Sequence, residues 1–206
     1  MKLFIARHAE TEADAGQIIA NRGLEYGLTP AGYAQARALA ERFIDTDLAG
    51  IFCSPLRRAV ETAAIVAEVN GVPVAVADGL REVDYGELDG RADAEAWHEL
   101  GAAFRQWLEF GRLDYALPGG ESAAQAQARF LSLVRSVGSS GGTETYLFIS
   151  HGGVLRLGLP DLLPDLPAEK FASQFLEYAE YALLEVKEGK FTCVEWRGEK
   201  INQEEK

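Results

Sequence analysis

Two apolar segments of this 206-residue chain stop at a histidine, and both are continuous rather than alternating. Leu3-Phe4-Ile5-Ala6 runs into Arg7-His8, and Tyr146-Leu147-Phe148-Ile149 runs into Ser150-His151. A strand that is apolar at every position is covered on both faces, as in a parallel sheet held between helices. The remaining pattern agrees with that constraint. Thr29-Pro30 is an N-cap followed by proline in the first helical position, with Tyr33, Ala36, Leu39, Ala40 and Phe43 at helical spacing behind it. Gly50–Cys53 reads as a second strand. Ser54-Pro55 repeats the cap-plus-proline signal and opens a helix through Leu56, Val60, Ala63, Ala64 and Ala67. Val72–Ala77 reads as a third strand.

Trp97, Leu100, Phe104, Trp107 and Leu108 place a helix within Arg91–Phe110, with Trp97, Phe104 and Trp107 assigned to the core. Pro118-Gly119-Gly120 ends that region, and Glu121-Ser122 leads into a helix through Phe130, Leu133 and Val134. A further helical stretch covers Val154–Leu159. Tyr181–Val186 and Phe191–Trp196 form a closing hairpin around Gly189, and the charged tail from Gly198 is expected to fray. Alternating strands and helices predict a three-layer α/β/α sandwich with a mainly parallel central sheet. A single domain is expected over residues 1–206, with a helical insertion at about 91–117.

The formal net charge of -12 argues against general binding to nucleic acid or to an anionic membrane, since both need a basic face. Cys53 and Cys193 form no CxxC pattern, and Cys53 reads as a buried structural thiol. The apolar run at the N-terminus is too short for a signal peptide and no stretch has membrane-spanning length, so a cytoplasmic enzyme is expected.

The chain has three histidines. His98 falls within a helical pattern and reads as a helix-face residue. His8 and His151 follow strands directly, at the edge where α/β sheets bind ligands. Arg7 precedes His8, and Arg57 and Arg58 lie in the first turn after Ser54, where free N–H groups and the helix dipole favour an anion. Arginine suits forked contacts with phosphate, and such a cluster stands against the acidity of the whole. One member of the Arg57-Arg58 pair is expected to be merely solvated.

These residues carry a resemblance. Arg7-His8-Ala9-Glu10-Thr11 is similar to the RHG-E/Q-T signature of the histidine phosphatase superfamily, the phosphoglycerate mutase-like fold. Leu28-Thr29-Pro30-Ala31-Gly32 with Gln35-Ala36 resembles its L-T-x-x-G-x-x-Q-A stretch, and Ser54–Ala59 with Thr62-Ala63 resembles S-P-L-x-R-A-x-x-T-A. Leu80-Arg81-Glu82 with Gly86 and Gly90, Pro118–Ser122, and Ser150–Val154 follow in the family's order. The resemblance implies that His8 is the nucleophile, that Arg7, Arg58 and His151 surround the transferring phosphoryl group, and that Glu82 is the proton donor. It implies no metal and no cofactor. Two positions depart from the pattern. Ala9 replaces the usual glycine, and Asp14 stands where the family often has an asparagine, although an ionised Asp cannot donate to phosphate. Asn21 and Arg22, near the family's substrate loop, are candidate substrate contacts.

The chemistry fits the residue types. Phosphoryl transfer needs an in-line nucleophile, stabilisation of the equatorial oxygens and a proton for the leaving oxygen. A neutral imidazole is a nucleophile near pH 7, and neighbouring guanidinium groups keep it neutral. His151 is expected to donate to the phosphoryl oxygens, and a general acid at Glu82 adds about 10²–10⁴-fold. The expected activity is hydrolysis of a small phosphate monoester through a covalent phosphohistidine, with a small phosphorylated metabolite as partner; a homodimer is compatible with the sequence. Three alternatives are carried. One is a phosphoglycerate mutase-type transfer, disfavoured because only about 30 residues separate Gly90 from Gly120. Another is a metallohydrolase built on His8, His151, Glu82 and Asp84, and the third is a non-catalytic phosphate-ligand binder.

Overall fold

The computed structural model describes residues 1–201. The elements in chain order are β1 (Lys2–Arg7), α1 (Glu12–Ala15), α2 (Pro30–Glu41), β2 (Leu48–Cys53), α3 (Arg57–Asn70), β3 (Val74–Val76), α4 (Ala94–Leu108) and α5 (Ala123–Gly138). β4 (Thr145–Ser150), α6 (Gly152–Leu162), α7 (Ala168–Phe171), β5 (Tyr181–Lys187), β6 (Lys190–Trp196) and β7 (Glu199–Lys200) follow. One sheet has the order β3-β2-β4-β1-β5-β6-β7. The first four strands are mutually parallel and the hairpin strands attach antiparallel to β1.

The continuous apolar strands are buried on both faces, as their pattern requires. Leu3 and Ile5 of β1 and Phe148 of β4 pack with α4, α5 and α6. Phe4 and Ala6 of β1 and Leu147 and Ile149 of β4 pack with α2 and α3 on the opposite face. Successive side chains of a strand point to opposite sides, so each run of four apolar residues feeds two cores.

Register then gathers the strand ends. Arg7 lies opposite Ser150, and Cys53 opposite Ile149. The ladder continues one residue further on each side: His8 N donates to Ser150 O at 2.9 Å and Ser54 N to Ile149 O at 3.0 Å. His8, Ser54 and His151 therefore leave the sheet at one edge. Helix α2 is pulled onto the turn after His8. Thr29 caps it by accepting from Gly32 N at 2.9 Å, and a Cβ on Gly32 would come within 2.0 Å of Glu10 O, so only glycine fits there.

Several expectations are corrected. Ser54 does not cap α3; the helix begins at Arg57 with Leu56 at its N-cap and no side-chain cap. The third strand is three residues long and exposed, because it forms the sheet edge. Trp107 is buried and Phe104 packs against the core. Trp97, by contrast, is 40% exposed, its indole N–H donating to Gln17 O at 2.8 Å. The tail is paired beyond Gly198: β7 joins β6, and Ile201 N donates to Val194 O at 3.0 Å. The rest of the expected frayed segment lies outside the described residues. Among the described residues no helix is long and apolar enough to cross a membrane.

Candidate active site

His8 leaves β1 buried, and its ring is oriented by the main chain. Nδ1 donates to Ala9 O at 2.7 Å, which leaves Nε2 as the nitrogen with a lone pair. Ala9 tolerates this turn because, among the described residues, positive φ outside glycine occurs only at Gln17, Ala179, Glu188 and Arg197. Ala9 N donates to Thr62 Oγ1 at 3.2 Å, tying the turn to α3.

Arg58, the buried member of the arginine pair, points its Nε–H at both imidazoles. It lies 3.2 Å from His8 Nε2 and 3.1 Å from His151 Nδ1. One N–H thus bridges the two lone pairs, and the rings sit 5.1 Å apart by centroid. Since His151 Nδ1 accepts, its Nε2 carries the proton and donates to Ser54 Oγ at 2.7 Å. The histidine expected to be a donor to phosphate is an acceptor at the face turned to Arg58. Burial, then Arg58, then Arg7 push the His8 imidazole well below the ordinary histidine range. Burial, Arg58 and His8 do the same to His151. Arg57 faces outward, paired with Glu61 at 2.7 Å.

Arg7 completes the cradle. Its Nη1 contacts Leu176 O at 3.5 Å and its guanidinium lies 4.0 Å from the centre of the Tyr178 ring. Its Nε is buried without a partner. A buried cationic donor left unmatched is costly unless an acceptor arrives, and here it sits beside the His8 turn.

Glu82 is buried against the start of α6. One oxygen accepts from Val83 N and Val154 N, each at 2.8 Å, and the other accepts from Gly153 N at 3.0 Å. The Tyr85 hydroxyl also bonds to it, and burial and the Glu82 charge hold that phenol well above its usual range. Gly153 is required here. A Cβ would lie 2.2 Å from the Tyr85 hydroxyl and 2.6 Å from Glu82 Oε1, whereas at Gly152 the nearest atom, Arg7 Cζ, is 3.5 Å away.

Other sequence candidates have different occupations. Asp14 forms a capping box with Thr11, accepting from Thr11 N at 2.9 Å and from its hydroxyl at 2.6 Å, and it bonds the Tyr178 hydroxyl. Asn21 Nδ2 donates to Asp84 Oδ1 at 3.1 Å, and Arg22 Nε donates to the same oxygen at 2.7 Å. Arg22 also bonds Gly119 O. Neither is brought to the Arg7–His8–Arg58–His151 cradle. His98 is exposed on α4. The groups of the metallohydrolase alternative are otherwise engaged: both histidine lone pairs face a guanidinium, the Glu82 oxygens accept from main-chain N–H groups, and Asp84 Oδ1 accepts from Asn21 and Arg22. Among the described residues no group of three or more His, Cys, Asp or Glu is arranged to hold a metal ion.

Sequence reasoning missed two members. Ser54 accepts the proton that the Arg58 contact leaves on His151 Nε2, and its Ser-Pro pattern reads as a helix cap in the sequence. Tyr178 covers Arg7 with its ring centre 6.0 Å from that of His8. Burial and Asp14 raise its phenol to about 12. It lies in an irregular segment with no motif to mark it.

The geometry agrees with comparisons to known proteins. A model of the histidine phosphatase superfamily (branch 1) matches residues 3–198. A protein named putative phosphoserine phosphatase 2, from Hydrogenobacter thermophilus, is 34% identical over 158 residues, 75% of each chain. A glucosyl-3-phosphoglycerate phosphatase from Mycolicibacterium vanbaalenii is 30% identical over 210 residues, covering 95% of this chain and 92% of that protein. The solved structure of Bacillus stearothermophilus YhfR superposes with a TM-score of 0.82 at 29% identity, covering 96% of each chain.

Proposed function

The chain belongs to the histidine phosphatase superfamily, and from that premise we propose that it hydrolyses a small phosphate monoester through a covalent phosphohistidine on His8. The observation that carries this reading is the bridging Arg58 N–H between two buried, neutral imidazoles, next to a buried Arg7 Nε that lacks an acceptor. When a phosphoryl dianion enters, it offers oxygens to both guanidinium groups. Arg58 then releases the lone pair of His8 Nε2, which is aimed at phosphorus. The anion also favours protonation of His151 Nδ1, which converts that acceptor into a donor while Nε2–H stays on Ser54.

Attack forms the N–P bond and breaks the bond from phosphorus to the ester oxygen. In this reading the acid form of Glu82 gives its proton to that oxygen. In the second half, water attacks the phosphohistidine, the Glu82 carboxylate removes a proton from it, and inorganic phosphate leaves. Hydrolysis is preferred over return of the phosphoryl group to substrate because the interval between Gly90 and Gly120 holds only α4 as regular structure.

A panel of phosphoserine, phosphoglycerates, sugar phosphates and nucleotides, run with wild type and His8→Ala, tests the proposal. The expected result is stoichiometric inorganic phosphate and an acid-labile, base-stable phosphoenzyme in wild type only. Turnover by His8→Ala, or isomerised phosphoglycerate in place of released phosphate, would overturn it.

A further inference from the structure

The segment that carries Glu82 belongs to no strand or helix. It runs irregularly from the 3-10 turn at Asp78–Leu80 to the one at Gly86–Leu88. Four consecutive carbonyls in it are nonetheless all bound by side chains. Ser150 Oγ donates to Leu80 O at 2.8 Å. The other three belong to one residue of α5: Arg129 Nη1 donates to Gly79 O at 3.3 Å and Arg81 O at 2.7 Å, and Nη2 to Glu82 O at 2.9 Å.

The two remaining N–H groups of Arg129 meet Glu121, Nη2 to Oε1 at 2.6 Å and Nε to Oε2 at 3.3 Å. All five donors of the guanidinium are therefore used, an arrangement that the single ammonium of a lysine cannot reproduce. Glu121 Oε1 also accepts from Asp84 N at 3.0 Å, which extends the clamp past Glu82 on its other side. The Glu82 carboxylate is thus set by α6 and its main chain by α5.

We propose that Arg129, locked by Glu121, is the positioning residue for the general acid, fixing where the Glu82 carboxyl meets the leaving oxygen. This rests on the reading of Glu82 as the proton donor. A proton donor matters for an alkoxide leaving group and hardly at all for one that departs as a stable anion. A misplaced acid should therefore slow alkyl phosphates and spare activated aryl phosphates.

The experiment measures kcat/KM across a series from alkyl phosphates to 2,4-dinitrophenyl phosphate, for wild type, Arg129→Lys, Glu121→Gln, Glu82→Gln and the double variant R129K/E82Q. Arg129→Lys should lose about 10- to 100-fold on alkyl phosphates and less than about twofold on the dinitrophenyl ester. Glu121→Gln, which keeps the arginine and its carbonyl bonds, should shift in the same direction by a smaller factor and serves alone if Arg129→Lys does not fold. The double variant should show no steeper leaving-group dependence than Glu82→Gln. An equal loss on all esters, no loss on any, or additive effects in the double variant would overturn the proposal. A Glu82→Gln variant with the leaving-group dependence of wild type would instead overturn the assignment of Glu82 itself.

Discussion

The site has two halves that are built differently. The cationic half, with Arg7, His8, Arg58 and His151, hangs from the ends of β1 and β4 and the first turn of α3. Parallel register aligns the strand ends, and the turn from β2 into α3 delivers Arg58 to them. The acidic half, with Glu82 and Tyr85, stands on an irregular segment held by side chains from α5 and β4 and by the backbone of α6. In the first half, position comes from the ladder, so a side-chain change alters chemistry. In the second, position itself depends on side chains, so a change remote from the ester can alter catalysis.

Substitutions that strike one half at a time sharpen this contrast. Arg58→Gln should produce the largest loss, on the order of 10³-fold in kcat/KM, because one guanidinium serves both imidazoles and the transferred group. It should also raise the pKa of His8, since burial and Arg58 are the main causes of its depression. An upward move of the His8 NMR titration midpoint checks this.

Gly153→Ala should cost about 10²-fold with the fold retained, by forcing Glu82 and Tyr85 from the added methyl group, whereas Gly152→Ala one residue earlier should change rates by less than about threefold. Equal effects from these two neighbours, measured on the same alkyl ester, would erase the distinction between the halves.

Stability should follow the cationic half. The unfolded chain protonates His8 and His151 near pH 6.5, while the folded protein keeps both neutral to well below that value. The unfolded state then binds more protons in this window. Stability should therefore be flat above about pH 7 and fall as the pH drops through 6.5 toward the lowered folded values, as read from chemical denaturation. Two histidines that titrate normally in the folded state would remove this slope.

Tyr178→Ala should have a smaller effect, about 0.5–1 kcal/mol through loss of the ring under the Arg7 guanidinium, seen as a few-fold rise in KM. Smallest of all is Ala179→Gly. Ala179 sits at φ 57 to turn Tyr178 over Arg7, so glycine should leave stability within about 1 kcal/mol or raise it slightly, as a thermal melt would show.

The cationic half was legible in the sequence because each of its residues is local to a strand end. The apolar run, the turn and the arginine beside it can be read within a few positions. Glu82 could be named only through its motif, since nothing in its acidic surroundings separates it from Asp84, Glu87 or Asp89. Arg22 and Asn21 were misplaced for a related reason. Their partners, Asp84 and Asp89, lie more than sixty positions away, at separations of 62, 63, 67 and 68 for the individual bonds. Ser54 reads as a cap in the sequence because His151, whose Nε2–H it accepts, is 97 positions further on.

By itself, then, the sequence determined the layered architecture, the two histidines at strand ends and the arginines beside them. Strand periodicity, helix starts and turn chemistry are properties of neighbouring residues. Only the tertiary structure decided which nitrogen of each imidazole carries the proton and what holds the Glu82 segment in place. Those outcomes depend on hydrogen bonds between groups that meet after the sheet has formed, and a hydrogen bond is satisfied by any partner that arrives with the right geometry.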